Sequence, residues 1–178
     1  LIRKTLHFLK YTEEEIMIPE IKTILYATDL SKNAVHAFSY AAAMANRFEA
    51  SINILHVIEE LSHSANIHVA QIMGEDRWKA LQDENVEKVR NEINWRLDAF
   101  CEMMTAKLTD CPFIVTDIFV EHGEPVERIL GLAGRTASDL IVMGTHGQGL
   151  VADAMLGSTA RRVVRRSTRP VLTIRLPE

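Results

Sequence analysis

The sequence predicts an α/β domain, a parallel β-sheet covered by helices, and three observations carry that prediction. Short apolar runs alternate along the chain with longer segments of helical periodicity, the order that builds successive βαβ units. The runs themselves are rich in Ile, Leu and Val, as expected of strands buried on both faces. One of them, Leu140 to Met143, breaks abruptly into a glycine cluster, and a new helical periodicity opens just after Gly157-Ser158.

The composition sets limits on what the domain does. At 178 residues the natural count is one domain, with 47% hydrophobic and 25% charged residues, the mixture of an ordinary globular chain. A formal net charge of -4 argues against generic nucleic-acid or anionic-membrane binding, which rely on a basic surface. No apolar stretch has the length to span a bilayer, and Arg3, Lys4, His7 and Lys10 interrupt the N-terminus, so a cytoplasmic protein without membrane association is expected. Cys101 and Cys111 have no CxxC or metal-ligand spacing and are expected to be reduced.

Residues 1–19 stand outside the pattern. Ile2, Leu6 and Leu9 would make a short amphipathic helix if the segment is a native extension; otherwise it is non-native, and the domain proper covers 20–178. Residues 21–27 form the first strand, ended by the turn and cap chemistry of Thr28-Asp29-Leu30-Ser31. Ser31 is a good N-cap for a helix over 32–48, in which Ala34, Phe38, Ala41, Ala42 and Ala45 make a small-residue face. Residues 51–58 are the second strand. The polar stretch that follows, through Gly74 with His63 and His68, is expected to be a loop near the site.

A long helix over 75–107 then presents Leu81, Val89, Ile93, Leu97 and Phe100 to the core, with Pro112 beyond its end. The third strand, 113–120, closes in the turn Gly123-Glu124-Pro125, and a helix over 126–133 points Ile129 and Leu130 inward. The fourth strand covers 139–143, the last helix 159–167, and Pro170 introduces a fifth strand over 171–175. In such sheets ligands sit beyond the strand carboxyl ends at the topological switch point, where Asp29 and Gly144 would face each other.

A strand, a glycine loop and a helix start together make an anion site. Glycines let backbone N–H groups approach a phosphate, and a helix N-terminus adds unpaired donors and a partial positive charge. Other nucleotide signatures fail: there is no G-x-x-x-x-G-K-[ST], and Gly147-Gln-Gly149-Leu-Val-Ala152 fits G-x-G-x-x-A but lacks the acidic strand end about 20 residues on. A flavin module would need its phosphate loop after strand one, where 28–33 has no glycine. His63 and His68 lack metal-ligand company; helical spacing favours a solvated face for Arg161, Arg162, Arg165 and Arg166 opposite Val163 and Val164, and the alternative for Arg161 and Arg162 near the helix start is a contact with a bound phosphate. No activated nucleophile or well-placed general base is evident, so neither a catalytic nor a metal-ligating residue is assigned.

These residues resemble the universal stress protein family, in its ATP-binding subgroup. The family's loop signature is Gly, two residues, Gly, nine residues, Gly, then Ser or Thr, and Gly144, Gly147, Gly157 and Ser158 match it without insertion. The resemblance runs from about Ile21 to Ile174 and includes Ala27-Thr28-Asp29-Leu30-Ser31, His56-Val57-Ile58 and Gly123-Glu124-Pro125. It implies a single three-layer sandwich with a five-stranded parallel sheet of order 3-2-1-4-5, and a homodimer joined through Val171–Ile174.

The resemblance also implies ATP, or AMP or ADP, as the ligand, with Mg²⁺ or Mn²⁺ screening the phosphates. Asp29, after Thr28, matches the acidic residue near the ribose; Ala27 and Val57 line the adenine pocket; Met143 and Gly144 end the strand beneath the nucleotide. His146 and Gly149 lie within the loop, Gly147 lies along the phosphates, and Gly157, Ser158 and Thr159 close on them. Ala27 departs from the proline found in comparable binders, which should relax the pocket edge. The function expected is a non-catalytic or very slowly hydrolysing sensor or regulator in stress response. Two alternatives stand beside it: a slow ATPase or phosphoryl-transfer enzyme using Asp29 with Ser158 or His146, and a dimeric interaction protein without nucleotide.

Overall fold

The computed structural model describes residues 19–31, 34–59, 63–105, 114–145 and 156–175. Its sheet has five parallel strands in the order β3-β2-β1-β4-β5, with β1 at Thr23–Thr28, β2 at Ser51–Ile58, β3 at Ile114–His122, β4 at Leu140–Gly144 and β5 at Val171–Ile174. This is the architecture that the sequence predicts. The chain steps outward from β1 to β2 and β3, then returns to the other side of β1 for β4 and β5. Between β1 and β4 the winding therefore reverses, and a crevice opens at their carboxyl ends.

Alternate residues of the central strands feed two cores. Ile24, Tyr26, Ile52, Ile54, Leu140 and Val142 pack with helix α1 (Ala34–Phe48) and with Ile93 and Phe100 of helix α3 (Glu75–Thr105). Leu25, Leu55, Ile141 and Met143 face the other way, onto helix α4 (Pro125–Arg135) and helix α5 (Ser158–Arg166). Burial on both faces explains why these strands lack polar alternation. Each fully buried Leu or Ile here contributes about 1.5–3 kcal/mol of transfer free energy.

Helix α1 lies close on the sheet because its inner face is built from Ala34, Ala37, Ala41, Ala42 and Ala45, with Phe38 as the one bulky residue. Phe38 fills the gap against Tyr26 and Phe100, at ring centroid separations of 5.3 and 5.0 Å. Asp139, just before β4, accepts the backbone N–H groups of Lys22 and Thr23 at 2.8 and 2.9 Å. That carboxylate pins the start of β1 to β4 and so helps set the register in which Ala27 stands opposite Met143.

Three expectations are corrected. Residues His63–Met73, read as a loop, form helix α2, and Gly74 at φ +86 separates it from α3. The sequence hides this helix because its apolar residues do not gather on one face: Ile72 is 84% exposed. Helix α3, about 46 Å long at the usual helical rise, buries Ile93 and Phe100 and packs Val89 and Leu97 against the same core as expected, but Leu81 is exposed. Cys101 is disulfide-bonded rather than reduced, and Cys111 lies outside the described residues. Among the described residues no helix is long and apolar enough to cross a membrane.

Candidate functional site

At the carboxyl end of the sheet the crevice between β1 and β4 widens into a cleft of about 510 Å³, within the range of small-molecule sites. Its floor is the strand ends: Ala27 and Thr28 of β1, Leu55 to Val57 of β2, Met143 and Gly144 of β4. One wall is Pro125 and Ile129 of α4; the other is Gly157 to Ala160 at the start of α5.

Of the residues singled out from the sequence, Ala27, Thr28, Asp29, Val57, Met143, Gly144, Gly157, Ser158 and Thr159 all line this one cleft. His146, Gly147 and Gly149 lie outside the described residues. Glu59, Pro125, Ile129, Thr145 and His56, none of them singled out as a ligand contact from the sequence, also contribute to the lining. Except for Ile129, in the second turn of α4, their place at or just past strand and turn ends is the available signal.

The loop after β1 is held in a demanding shape. Leu30 takes φ +59, a left-handed conformation that a side chain with a Cβ resists by about 1 kcal/mol. Hydrogen bonds offset that cost. Thr28 Oγ1 accepts from Leu30 N at 3.1 Å and Asp29 Oδ1 accepts from Ser31 N at 3.1 Å. From α3, Arg96 Nη1 donates to Leu30 O at 2.9 Å, and from β2, His56 donates through Nδ1 to Thr28 O at 2.9 Å. Beneath the loop Tyr26 gives its hydroxyl to Ala34 O at 2.8 Å, and burial pushes its phenol up to about 12. Asp29 is thus carried on a loop braced from three elements.

The opposite wall is built differently. Gly157 is the N-cap of α5 with φ -61 and ψ 160, it makes no side-chain cap bond, and its own N–H is held by Thr145 O at 2.7 Å. The first intrahelical bond runs from Arg161 N to Gly157 O at 2.9 Å. The amides of Ser158, Thr159 and Ala160 therefore precede any intrahelical acceptor, and they carry the positive end of the helix dipole into the cleft. Such an end accommodates a phosphate.

Two ion pairs fasten α5 to α4: Arg162 Nη1 to Glu124 Oε1 at 2.7 Å and Arg166 Nη1 to Glu127 Oε1 at 2.6 Å. The hydrogen bond to Arg166 holds the Glu127 carboxyl below its usual range. At the far end of the turn Gly123 takes φ +138, and a Cβ there would come 2.5 Å from Arg128 Nε. The arginine tip can move aside, but the positive φ leaves any residue with a side chain strained at that corner. Among the described residues, no group of three or more His, Cys, Asp or Glu is placed to hold a metal ion.

A sequence profile described as "Universal stress protein family" matches residues 20–175, nearly the whole described chain. The chain belongs to the universal stress protein family. It is 35% identical over 157 residues to the universal stress protein in QAH/OAS sulfhydrylase 3'region of Thermus aquaticus, covering 86% of this chain and 98% of that protein. To universal stress protein MJ0577 of Methanocaldococcus jannaschii it is 29% identical over 154 residues, covering 86% and 94%. The solved structure of MJ0577 superposes with a TM-score of 0.67 at 28% identity, covering 90% of this chain and 99% of that one. The structure of a universal stress protein from Archaeoglobus fulgidus in complex with dAMP shares the fold with a TM-score of 0.55 at 17% identity, covering 89% and 99%.

Proposed function

We propose that this universal stress protein binds an adenine nucleotide, ATP or its mono- or diphosphate, in the cleft and acts as a sensor or regulator in stress response. The observation that carries the reading is the bare N-terminus of α5 opening on a cleft of about 510 Å³. The phosphates lie on the amides of Ser158 and Thr159 behind Gly157. Asp29 meets the ribose, and Ala27, Val57 and Met143 bound the base. The dAMP held by the Archaeoglobus fulgidus relative supports an adenine nucleotide as a ligand of this fold.

A divalent ion such as Mg²⁺ or Mn²⁺, in this reading, sits mainly on phosphate oxygens, since the described residues supply no ligand cluster. A sensor also needs a surface to report through. The edge strand β5 is short and half-buried, and pairing with β5 of a second copy would cover its open edge.

Mass spectrometry of ligand released from freshly purified, denatured protein, followed by calorimetric titration with ATP and AMP, tests the reading. Release or saturable binding of an adenine nucleotide that Gly157→Val removes is the expected result. Binding of none, in a chain whose melting is cooperative, would sink it.

A further inference from the structure

Two helices begin at the cleft, and an ion pair joins the N-cap of α4 to the second turn of α5. We propose that this pair, Glu124 and Arg162, sets how many phosphates the bound nucleotide carries: Arg162 is a phosphate-specificity residue, and Glu124 holds it in reserve. The proposal rests on the adenine-nucleotide reading above and deepens it.

Arg162 follows Ser158 by one helical turn, so the two occupy one stripe of α5. Helical side chains lean toward the N-terminus, which carries the arginine stem back over the turn that bears Ser158, a residue of the cleft wall. The guanidinium is engaged through Nη1 by Glu124 Oε1 at 2.7 Å. Glu124 directly precedes Pro125 of the facing wall, and its second oxygen, Oε2, is committed to the N–H of Glu127 at 2.9 Å. One carboxylate therefore caps α4 and restrains Arg162 together.

The restraint is weak enough to yield. Arg162 and Glu124 are 44% and 42% exposed, a setting in which an ion pair adds little stability. A guanidinium also has five donors in a planar fork that suits phosphate oxygens, and the Glu124 contact uses one. A monophosphate can satisfy its oxygens on the bare amides of α5. Each further phosphate brings charge beyond what those amides cover, and it competes with Glu124 for the arginine on the same stripe. Glu124 thereby disfavours longer phosphate chains, and Arg162 favours them once released.

Calorimetric titration of the full chain with ATP and with AMP tests this in wild type, Glu124→Gln, Arg162→Gln and the double variant. Gln at 124 keeps an oxygen for the α4 cap, and thermal melts check that each variant folds as wild type does. We expect Glu124→Gln to raise the ATP-to-AMP affinity ratio about five- to tenfold and Arg162→Gln to lower it about as much. In the Arg162→Gln background the Glu124 substitution should no longer move the ratio. An unchanged ratio in Glu124→Gln overturns the proposal. So does a change of equal size with and without Arg162, which would mean that Glu124 acts by its charge alone. A wild-type chain that binds neither nucleotide overturns the underlying reading with it, and is told apart because no ratio then exists.

Discussion

Helices α4 and α5 pack side by side on one face of the sheet, both begin at the cleft, and they begin in opposite ways. Helix α4 is finished: Glu124 caps Glu127 N, and Pro125 occupies the first turn, where its missing N–H costs nothing. Helix α5 has Gly157 at the same place, with no side-chain cap bond and no acidic residue in its first turn. A chain shaped for stability alone would cap both. The difference separates a terminus that closes structure from one that leaves its donors to a ligand.

The comparison can be broken at its anchors first. Leu132 of α4 is 1% exposed, and Leu132→Ala should cost about 3 kcal/mol in chemical denaturation, mostly from lost burial and the cavity left behind. A loss under about 1 kcal/mol would mean that α4 is held by its cap and ion pairs instead of its packing. Gly157→Asp gives α5 the cap that α4 has. Affinity for adenine nucleotide should fall about a hundredfold, because the new carboxylate takes the amides and repels the phosphate, while stability rises by a few tenths of a kcal/mol. Retained affinity would show that the α5 terminus is not the phosphate seat.

The opposite face supplies a reference, since its buried polar group serves the fold. The phenol of Tyr26 is raised from 10.0 to about 12, chiefly by burial, so the folded chain binds its proton more tightly than the unfolded chain does. The stability tied to that proton is fully present below pH 10 and falls as the pH rises toward 12, by about 2 kcal/mol. Tyr26→Phe should flatten that alkaline limb in pH-dependent denaturation; superimposable limbs would refute the assignment. The smallest effect belongs to the finished terminus. Glu124→Ala removes the α4 cap and should cost about 1 kcal/mol in the same assay. If it costs nothing, the two termini differ in sequence and not in energetics.

Much of the fold is legible in the sequence. Apolar runs of Ile24-Leu25, Ile52 to Leu55 and Leu140 to Met143 announce strands covered on both faces, because nothing else hides that much aliphatic surface. The alanine face of α1 likewise reads directly as close packing. Helix α2 was not legible, since its apolar residues are scattered and its stability comes from packing on α3. Nor was the exposure of Leu81 in α3: periodicity shows which side of a helix is apolar, but not which of its turns find a partner.

For the site, sequence by itself determined the residue types and their spacing: turn residues after β1, glycines after β4, and Gly157-Ser158 at a helix start. Those are local, because backbone freedom and helix-end donors depend on neighbours along the chain. Tertiary structure decided which of them share a cleft. Only the order β3-β2-β1-β4-β5 puts Asp29 and Gly144 at one end of adjacent strands, and only the packing of α4 against α5 brings Glu124 to Arg162 across 38 positions of sequence. Contacts at such separations are selected by the burial of whole faces, a sum over many residues that no short motif records.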